Sequence, residues 1–438
     1  MDTQRNLITS DDDSNIGRYT SALLSLIYMG AGQIANGQWV KGLFLILLET
    51  LVIIPNIPLL LRNLKGFVTL GEIPMQDHSL FMIIYGIIAA FATVFIILIY
   101  LLNIRDAYEN GYSVERKPKQ KGLKATFRHT RESGFPYLIL APGLACILFF
   151  TVLPMVFNII LAFTNYDLYH SPPKHILQWV GFKNFVEFLS TSSWSITFKN
   201  VLIWTVVWAV LSTLTMYFLG LIMAVILNNP RIKFRKTFRT ILILPYAIPG
   251  FISILIWKGL LNTNFGIVNK ILAGTFGIQP IPWFESVFWT RFACVLVNLW
   301  LGFPYSMMLI TGILQGLPND IYEAATVDGA SSFQKFRFIT VPLVLFAVAP
   351  LLIMSFAHNF NNFNIIYLLN DGNPPVFGQQ GKAGGSDILI SWVYKLTFEA
   401  LKFNFAAAMS IIIFLLIVGF SIYNYTRTRS FREEDMLR

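Results

Sequence analysis

Two short stretches carry residue types suited to recognising a ligand. The run HNFNNFN (358–364) interleaves amides with aromatic rings, and WLGFPY (300–305) sets Trp300, Phe303 and Tyr305 around Gly302 and Pro304. Amides donate and accept hydrogen bonds, while aromatic faces stack on apolar ring faces. A sugar presents both hydroxyls and an apolar ring face. Asn359 and Asn362 are three apart and are expected to share a helix face. Gly302 and Pro304 are expected to interrupt their helix, and broken helices commonly frame ligand sites at the membrane midplane. The residue types alone leave a second reading open, in which the asparagines bridge helices and the aromatics pack.

Chemistry of other kinds finds no support. The five histidines (78, 129, 170, 175 and 358) form no pair at metal-ligand spacing on a helix, and neither a nucleophile elbow nor a paired carboxylate stands out. A phosphate loop needs G-x-x-x-x-G-K-[ST]. Here Gly381-Lys382 is followed by Ala383, and Val376 stands where the first glycine belongs. No metal, no cofactor and no catalytic residue is expected on this chain.

The elements that must hold those residues are membrane helices. Of 438 residues, 55% are hydrophobic and only 13% charged, with a mean hydropathy of +0.60. A soluble domain carries about a quarter charged residues, so disorder, fibrous repeats and an ordinary globular enzyme are excluded. A span needs about 20 apolar residues, and eight stretches qualify: 42–61, 80–102, 137–163, 201–227, 240–260, 292–316, 341–363 and 404–426. The first contains Glu49, and Pro55 and Pro58 are expected to break its far end. Residues 20–35 are short and Gly-rich and read as an interfacial or re-entrant helix within a cytoplasmic tail, 1–41. The expected order is two N-terminal spans (42–102), a basic cytoplasmic linker (103–136), a six-helix core (137–426) and a cytoplasmic tail (427–438). Net charge is +10, and 22 of the 33 Lys and Arg fall on the side holding both termini. That bias makes the side cytoplasmic. Cys146 and Cys294 lie in apolar runs and imply no disulfide framework.

One motif is specific. Between the sixth and seventh spans the sequence reads Glu323-Ala324-Ala325, three residues, Gly329, nine residues, Ile339, one residue, Val341-Pro342, with Asp328 just before the glycine. This resembles the EAA loop of ABC-importer permeases, with Val341 in place of leucine. Pro318 with Asn319 or Asp320 supplies a helix start, and acids near that end suit its dipole. Gly329 permits a bend that a side chain would hinder. The phrases at 241–262, 297–318 and 355–366 are similar to the larger permease subunit of maltose/maltodextrin importers, the MalF type. The fold thereby implied is an all-α polytopic membrane protein of the type I ABC-importer permease class, with about eight spans.

The resemblance further implies that Leu301, Gly302 and Tyr305, with Ser355, Asn359 and Asn362, contact sugar. His358 departs from the family's phenylalanine and is carried as a seventh candidate. The loop residues Glu323, Ala324, Ala325, Asp328, Gly329, Ile339 and Pro342 would couple to a separate ATPase, which alone uses ATP and Mg. Implied partners are a MalG-like second permease subunit, two MalK-like ATPase subunits and an extracellular sugar-binding protein, with maltodextrin as substrate, in a bacterial plasma membrane. The loop 164–200 is short where Gram-negative members insert a large domain. A secondary transporter is the rival reading, but it needs ion-binding groups near the bilayer centre, and Glu49 alone supports it poorly.

Overall fold

The computed structural model describes residues 17–111, 135–137, 139–229 and 231–426. Most of the expected basic linker, the N-terminal residues 1–16 and the tail 427–438 lie outside the described residues. The chain divides into two compact units, Met1–Trp179 and Val180–Arg438. Among the described residues are seven helices long and apolar enough to cross a membrane, or eight counting one bent pair.

The first unit contains α1 (17–27), α2 (Ala31–Ala35), α3 (Trp39–Thr69), α4 (Ser79–Glu109) and α5 (Phe135–Leu161). The turn between α1 and α2 is pinned by polar groups of the long helices. Glu49 is buried and accepts a hydrogen bond from the Met29 backbone N–H at 2.6 Å and one from the Tyr100 hydroxyl at 3.5 Å. Asn103 accepts from the Gly30 N–H and donates to the Ser25 carbonyl. The side-chain amide of Gln33 donates to the Asn103 carbonyl. Glu49 therefore satisfies a turn's backbone donor, a group that is costly to leave unpaired in an apolar setting.

Pro55 and Pro58 do not end the first long helix, as expected from sequence; α3 stays helical to Thr69. The reason recurs along the chain. Three π turns, Glu49–Ile53, Leu148–Val152 and Phe336–Thr340, each end two residues before a proline: Pro55, Pro154 and Pro342. A proline lacks an N–H and its ring crowds the carbonyl four residues earlier. A turn widened by one residue relieves that conflict without breaking the helix.

The second unit comprises α6 (Lys183–Ser190), α7 (Ser192–Asn228), α8 (Arg235–Ala247), α9 (Gly250–Leu260), α10 (Ile267–Phe276), α11 (Val287–Gly316) and α12 (Asn319–Val327). Then come α13 (Ser332–Lys335, the third π turn and Val341–Phe360), α14 (Phe363–Asn370), α15 (Leu389–Phe398) and α16 (Phe403–Tyr425). The stretch 240–260, expected as one span, is instead α8 and α9 with a 93° bend between them. Pro249 precedes α9 and holds Ile248 extended, at φ −89° and ψ 137°, since a residue before proline avoids helical geometry.

A second correction concerns α11. Gly302 and Pro304 do not interrupt it; the helix is continuous from Val287 to Gly316 with Pro304 inside. Phe303 and Pro304 are buried in the bundle, where neighbouring helices tolerate an internal proline. Small residues bring α7 and α11 together. A methyl group on Gly220 would sit 2.5 Å from Ser306 Cβ, and one on Gly302 would overlap the Met216 sulfur. Close approach through small residues is how helices associate without a hydrophobic driving force. Tyr217, Leu221, Ala224, Met307, Ile310, Val344 and Val348 fill the core where α7, α11 and α13 meet.

Candidate functional site

The amides singled out in the sequence converge with partners from two other helices. Asn298 of α11 donates to Asn359 Oδ1 at 3.0 Å, and Asn362 donates to Asn298 Oδ1 at 3.2 Å. Asn359 in turn donates to Thr213 Oγ1 of α7 at 3.1 Å, and its carbonyl accepts from the Trp208 indole at 2.9 Å. Asn359 is 1% exposed, so both ends of its amide are engaged in joining α7, α11 and α13.

Asn359 and Asn362 do not share one helix face, contrary to the expectation. Helix α13 ends at Phe360, and Asn362 stands in the break before α14. The carbonyl of Asn359 accepts from the Trp208 indole and from the Asn362 backbone N–H at 3.1 Å, while the Asn362 side-chain amide donates to Asn298. The chain turns there with the backbone N–H groups of Asn361, Asn362 and Phe363 all bonded.

The positions 298, 301, 302 and 305 follow one another at i, i+3, i+4 and i+7 on continuous α11, which places them on one face. Leu301 and Gly302 are half-buried, and Tyr305 is exposed in the isolated chain. The Tyr305 ring lies 6.1 Å from that of Tyr246, which stands just before the α8–α9 bend. On α13, Ser355 is half-buried and His358 exposed, and Asn362 is half-buried in the break. The structure thus brings Asn359 and Asn362 together through Asn298 and sets Leu301, Gly302 and Tyr305 along the same α11 face. Sequence reasoning missed Asn298, Thr213 and Trp208. The signal was present for Asn298, a single amide inside an apolar span, where unpaired polarity is expensive.

The EAA-like segment forms a self-contained hairpin. Helix α12 covers Asn319–Val327, starts after Pro318 without a side-chain cap, and carries Asp320 in its first turn. It closes through Gly329 at φ +79°: the Gly329 N–H bonds to the Thr326 carbonyl and the Ala330 N–H to the Ala325 carbonyl. This pair of bonds defines a Schellman closure, which needs a left-handed residue. Nothing lies within 4 Å of a methyl built on Gly329, so backbone conformation and not space calls for glycine. Ser331 then opens α13 with a capping box to Gln334. Two side-chain bonds clasp the hairpin, Tyr322 hydroxyl with Thr340 Oγ1 at 3.1 Å and Lys335 Nζ to Thr326 Oγ1 at 3.0 Å. Glu323, Ala324, Asp328, Gly329 and Pro342 are exposed, Ala325 and Ile339 half-buried. Val327 is 88% exposed, an apolar side chain left open on this charged helix.

The second unit is thus a helix bundle with a polar cluster at one end of α13 and an exposed helical hairpin at the other. Residues 216–431 match the family model described as the inner-membrane component of binding-protein-dependent transport systems. The chain is 43% identical over 413 residues to the galactooligosaccharides transport system permease protein GanP of Bacillus subtilis, covering 94% of this chain and 98% of that one. It is 38% identical over 430 residues to the maltodextrin permease MdxF of the same organism (95% and 97% covered). The MalF permease of Salmonella typhimurium matches at 42% over 253 residues, 57% of this chain and 49% of that one. In fold, it is similar to the crystal structure of a bacterial ABC transporter involved in import of the acidic polysaccharide alginate. The TM-score there is 0.58 at 22% identity, covering 70% of this chain and 98% of that one. The chain belongs to the family of ABC-importer permeases, multi-pass proteins of the cell membrane. Within that family it is a sugar permease of the MalF type, a transport subunit and not an enzyme.

Proposed function

We propose that this permease forms half of the translocation pathway of an ATP-driven importer of neutral oligosaccharides. Its partners would be a second permease subunit, two ATPase subunits that alone bind ATP and Mg, and an extracellular sugar-binding protein. An alginate transporter of similar fold has been crystallised with a pentasaccharide-bound periplasmic protein, which supports the last of these. The observation that carries the reading is the α12 hairpin. It is a short helix closed at its C-terminal end by the Gly329 turn, exposed on the EAA face and clasped to the start of α13, so that a push on α12 reaches the helix bearing the polar cluster.

In the proposed cycle, closure of the ATPase pair on ATP, on the cytoplasmic side, moves α12, and α13 carries the movement to Asn359 and the break at Asn362. Leu301, Gly302 and Tyr305 on α11, with Ser355, His358 and Asn362, line the sugar path, while Asn359 holds the helices in register. The cluster offers amides, hydroxyls and aromatic rings and no carboxylate, which suits uncharged sugars. Maltodextrin is the substrate implied by the sequence resemblance. The higher identity to a galactooligosaccharide permease favours galactose-containing oligosaccharides as a second reading. Co-purification with the ATPase, followed by ATP hydrolysis with binding protein and a panel of malto- and galactooligosaccharides, separates the two. Failure to co-purify, or no response to any sugar in the panel, would refute the proposal.

A further inference from the structure

The loop 371–388, which follows α14, combines a locked base with a bare aromatic tip. Its base is tied to three helices. The Trp204 indole donates to the Ser386 carbonyl at 3.0 Å, Arg291 Nε donates to the Gly385 carbonyl at 2.8 Å, and the Arg291 guanidinium lies 4.3 Å from the Trp204 ring centroid. The Gln380 and Leu389 N–H groups donate to Thr197 and Thr205 of α7. Trp392 of α15 donates to the Gly381 carbonyl, and a methyl on Gly381 would meet Leu396 at 2.6 Å.

Inside this base is an ion pair shut away from water. Lys395 Nζ lies 2.8 Å from Asp387 Oδ2, with side chains 4% and 0% exposed. Asp387 also accepts from the Gly384 N–H at 2.6 Å and the Ser391 hydroxyl at 2.7 Å. Burial pushes the Asp387 carboxyl above its ordinary value, against the pull of Lys395 and these donors. A charge pair in such a place rarely adds net stability, but breaking one partner is strongly destabilising. Above it, Phe377 is fully exposed at the tip of an uncharged stretch, GNPPVFGQQ (372–380).

We propose that this loop is a preformed docking knob for the extracellular sugar-binding protein, with Phe377 its anchor and the Asp387–Lys395 pair its positioning lock. The proposal rests on the importer reading above. The apolar stretch Ser332–Asn370 is long enough to cross a membrane, and the α12 hairpin and the loop stand at its opposite ends. The face away from the ATPase is the one a binding protein reaches. The loop's lysine, Lys382, lies 3.8 Å from Glu399, so no unpaired basic group stands beside Phe377 to draw anionic lipid headgroups. A rigid aromatic costs little entropy to dock, and such anchors dominate binding energy at interfaces.

The test uses the complete importer complex in lipid nanodiscs, titrated with its purified binding protein while ATP hydrolysis is followed. Phe377→Ala should raise the half-saturating binding-protein concentration about tenfold or more, with the saturated rate within about twofold of wild type on the same account; Phe377→Tyr should stay near wild type. Lys395→Met should weaken docking as well, and adding Asp387→Asn should restore it, because no charge is then left unpaired. A photo-reactive benzoylphenylalanine at position 377 should cross-link to the binding protein. A shift below about twofold for Phe377→Ala, the level of near-neutral contacts, or cross-links reaching only lipid or the second permease subunit, overturns the proposal. A wild-type complex whose ATPase ignores the binding protein overturns the importer reading and the docking knob with it.

Discussion

Asn298 and Glu49 are the two polar residues whose surroundings say most about their work. Asn298 bridges Asn359 and Asn362, so Asn298→Leu should strand one buried and one half-buried amide and lower stability by about 1–3 kcal/mol. Thermal melting of the detergent-solubilised protein measures this, and an unchanged midpoint would show the bridge is dispensable. Glu49 binds the Met29 N–H, a job that an amide oxygen performs as well as a carboxylate. Glu49→Gln should therefore melt near wild type while Glu49→Leu loses about 1–3 kcal/mol; equal losses in both would mean the charge itself matters. The sequence marks both residues as polar intruders in apolar runs. It does not reveal their partners, because Asn298 and Asn359 lie 61 positions apart and Met29 and Glu49 meet only after the chain has doubled back.

The helices were legible from hydropathy, their internal irregularities less so. Seven of the eight long apolar runs became spans and 240–260 a bent pair of helices, and the prolines did opposite things. Pro249 follows an extended Ile248 and coincides with a 93° bend, whereas Pro55 and Pro342 are absorbed by π turns and Pro304 by its buried setting. Local propensity is the same in each case, so neighbours decide the outcome. The EAA spacing was the most readable feature because it encodes backbone geometry: Gly329 sits at +79° and Pro342 follows the π turn. Gly329→Leu forces a β-carbon into left-handed geometry at a cost of about 1 kcal/mol or more. It should reduce ATPase co-purification or uptake while the spans still insert; normal uptake would count against the hairpin's coupling role. Pro342→Ala removes the reason for the wide turn, and should shift α12 against α13 enough to alter the ratio of sugar moved to ATP consumed.

At the scale of the molecule, burial divides the spans by role. The most apolar windows of α7 and α11 are each 44% buried within the chain, those of α3 and α5 only 6%. The former pair is the internal support on which the polar cluster is mounted. On the proposed function the motor lies on another chain. Vesicles containing this protein alone should accumulate no oligosaccharide. The full complex should do so with ATP present even after the membrane potential is collapsed, whereas potential-dependent uptake would favour a secondary transporter.

The Schellman turn and the capping box leave α12 with an unusual freedom. A helix whose last carbonyls and whose neighbour's first amides are closed locally can tilt as a solid piece, sacrificing no backbone hydrogen bond as it goes. The resistance it meets comes mainly from two replaceable side-chain clasps, at Tyr322 and Lys335. On the proposed coupling role, tuning of the stroke would therefore concentrate in a hydroxyl and an ammonium group, leaving the lever's own shape untouched.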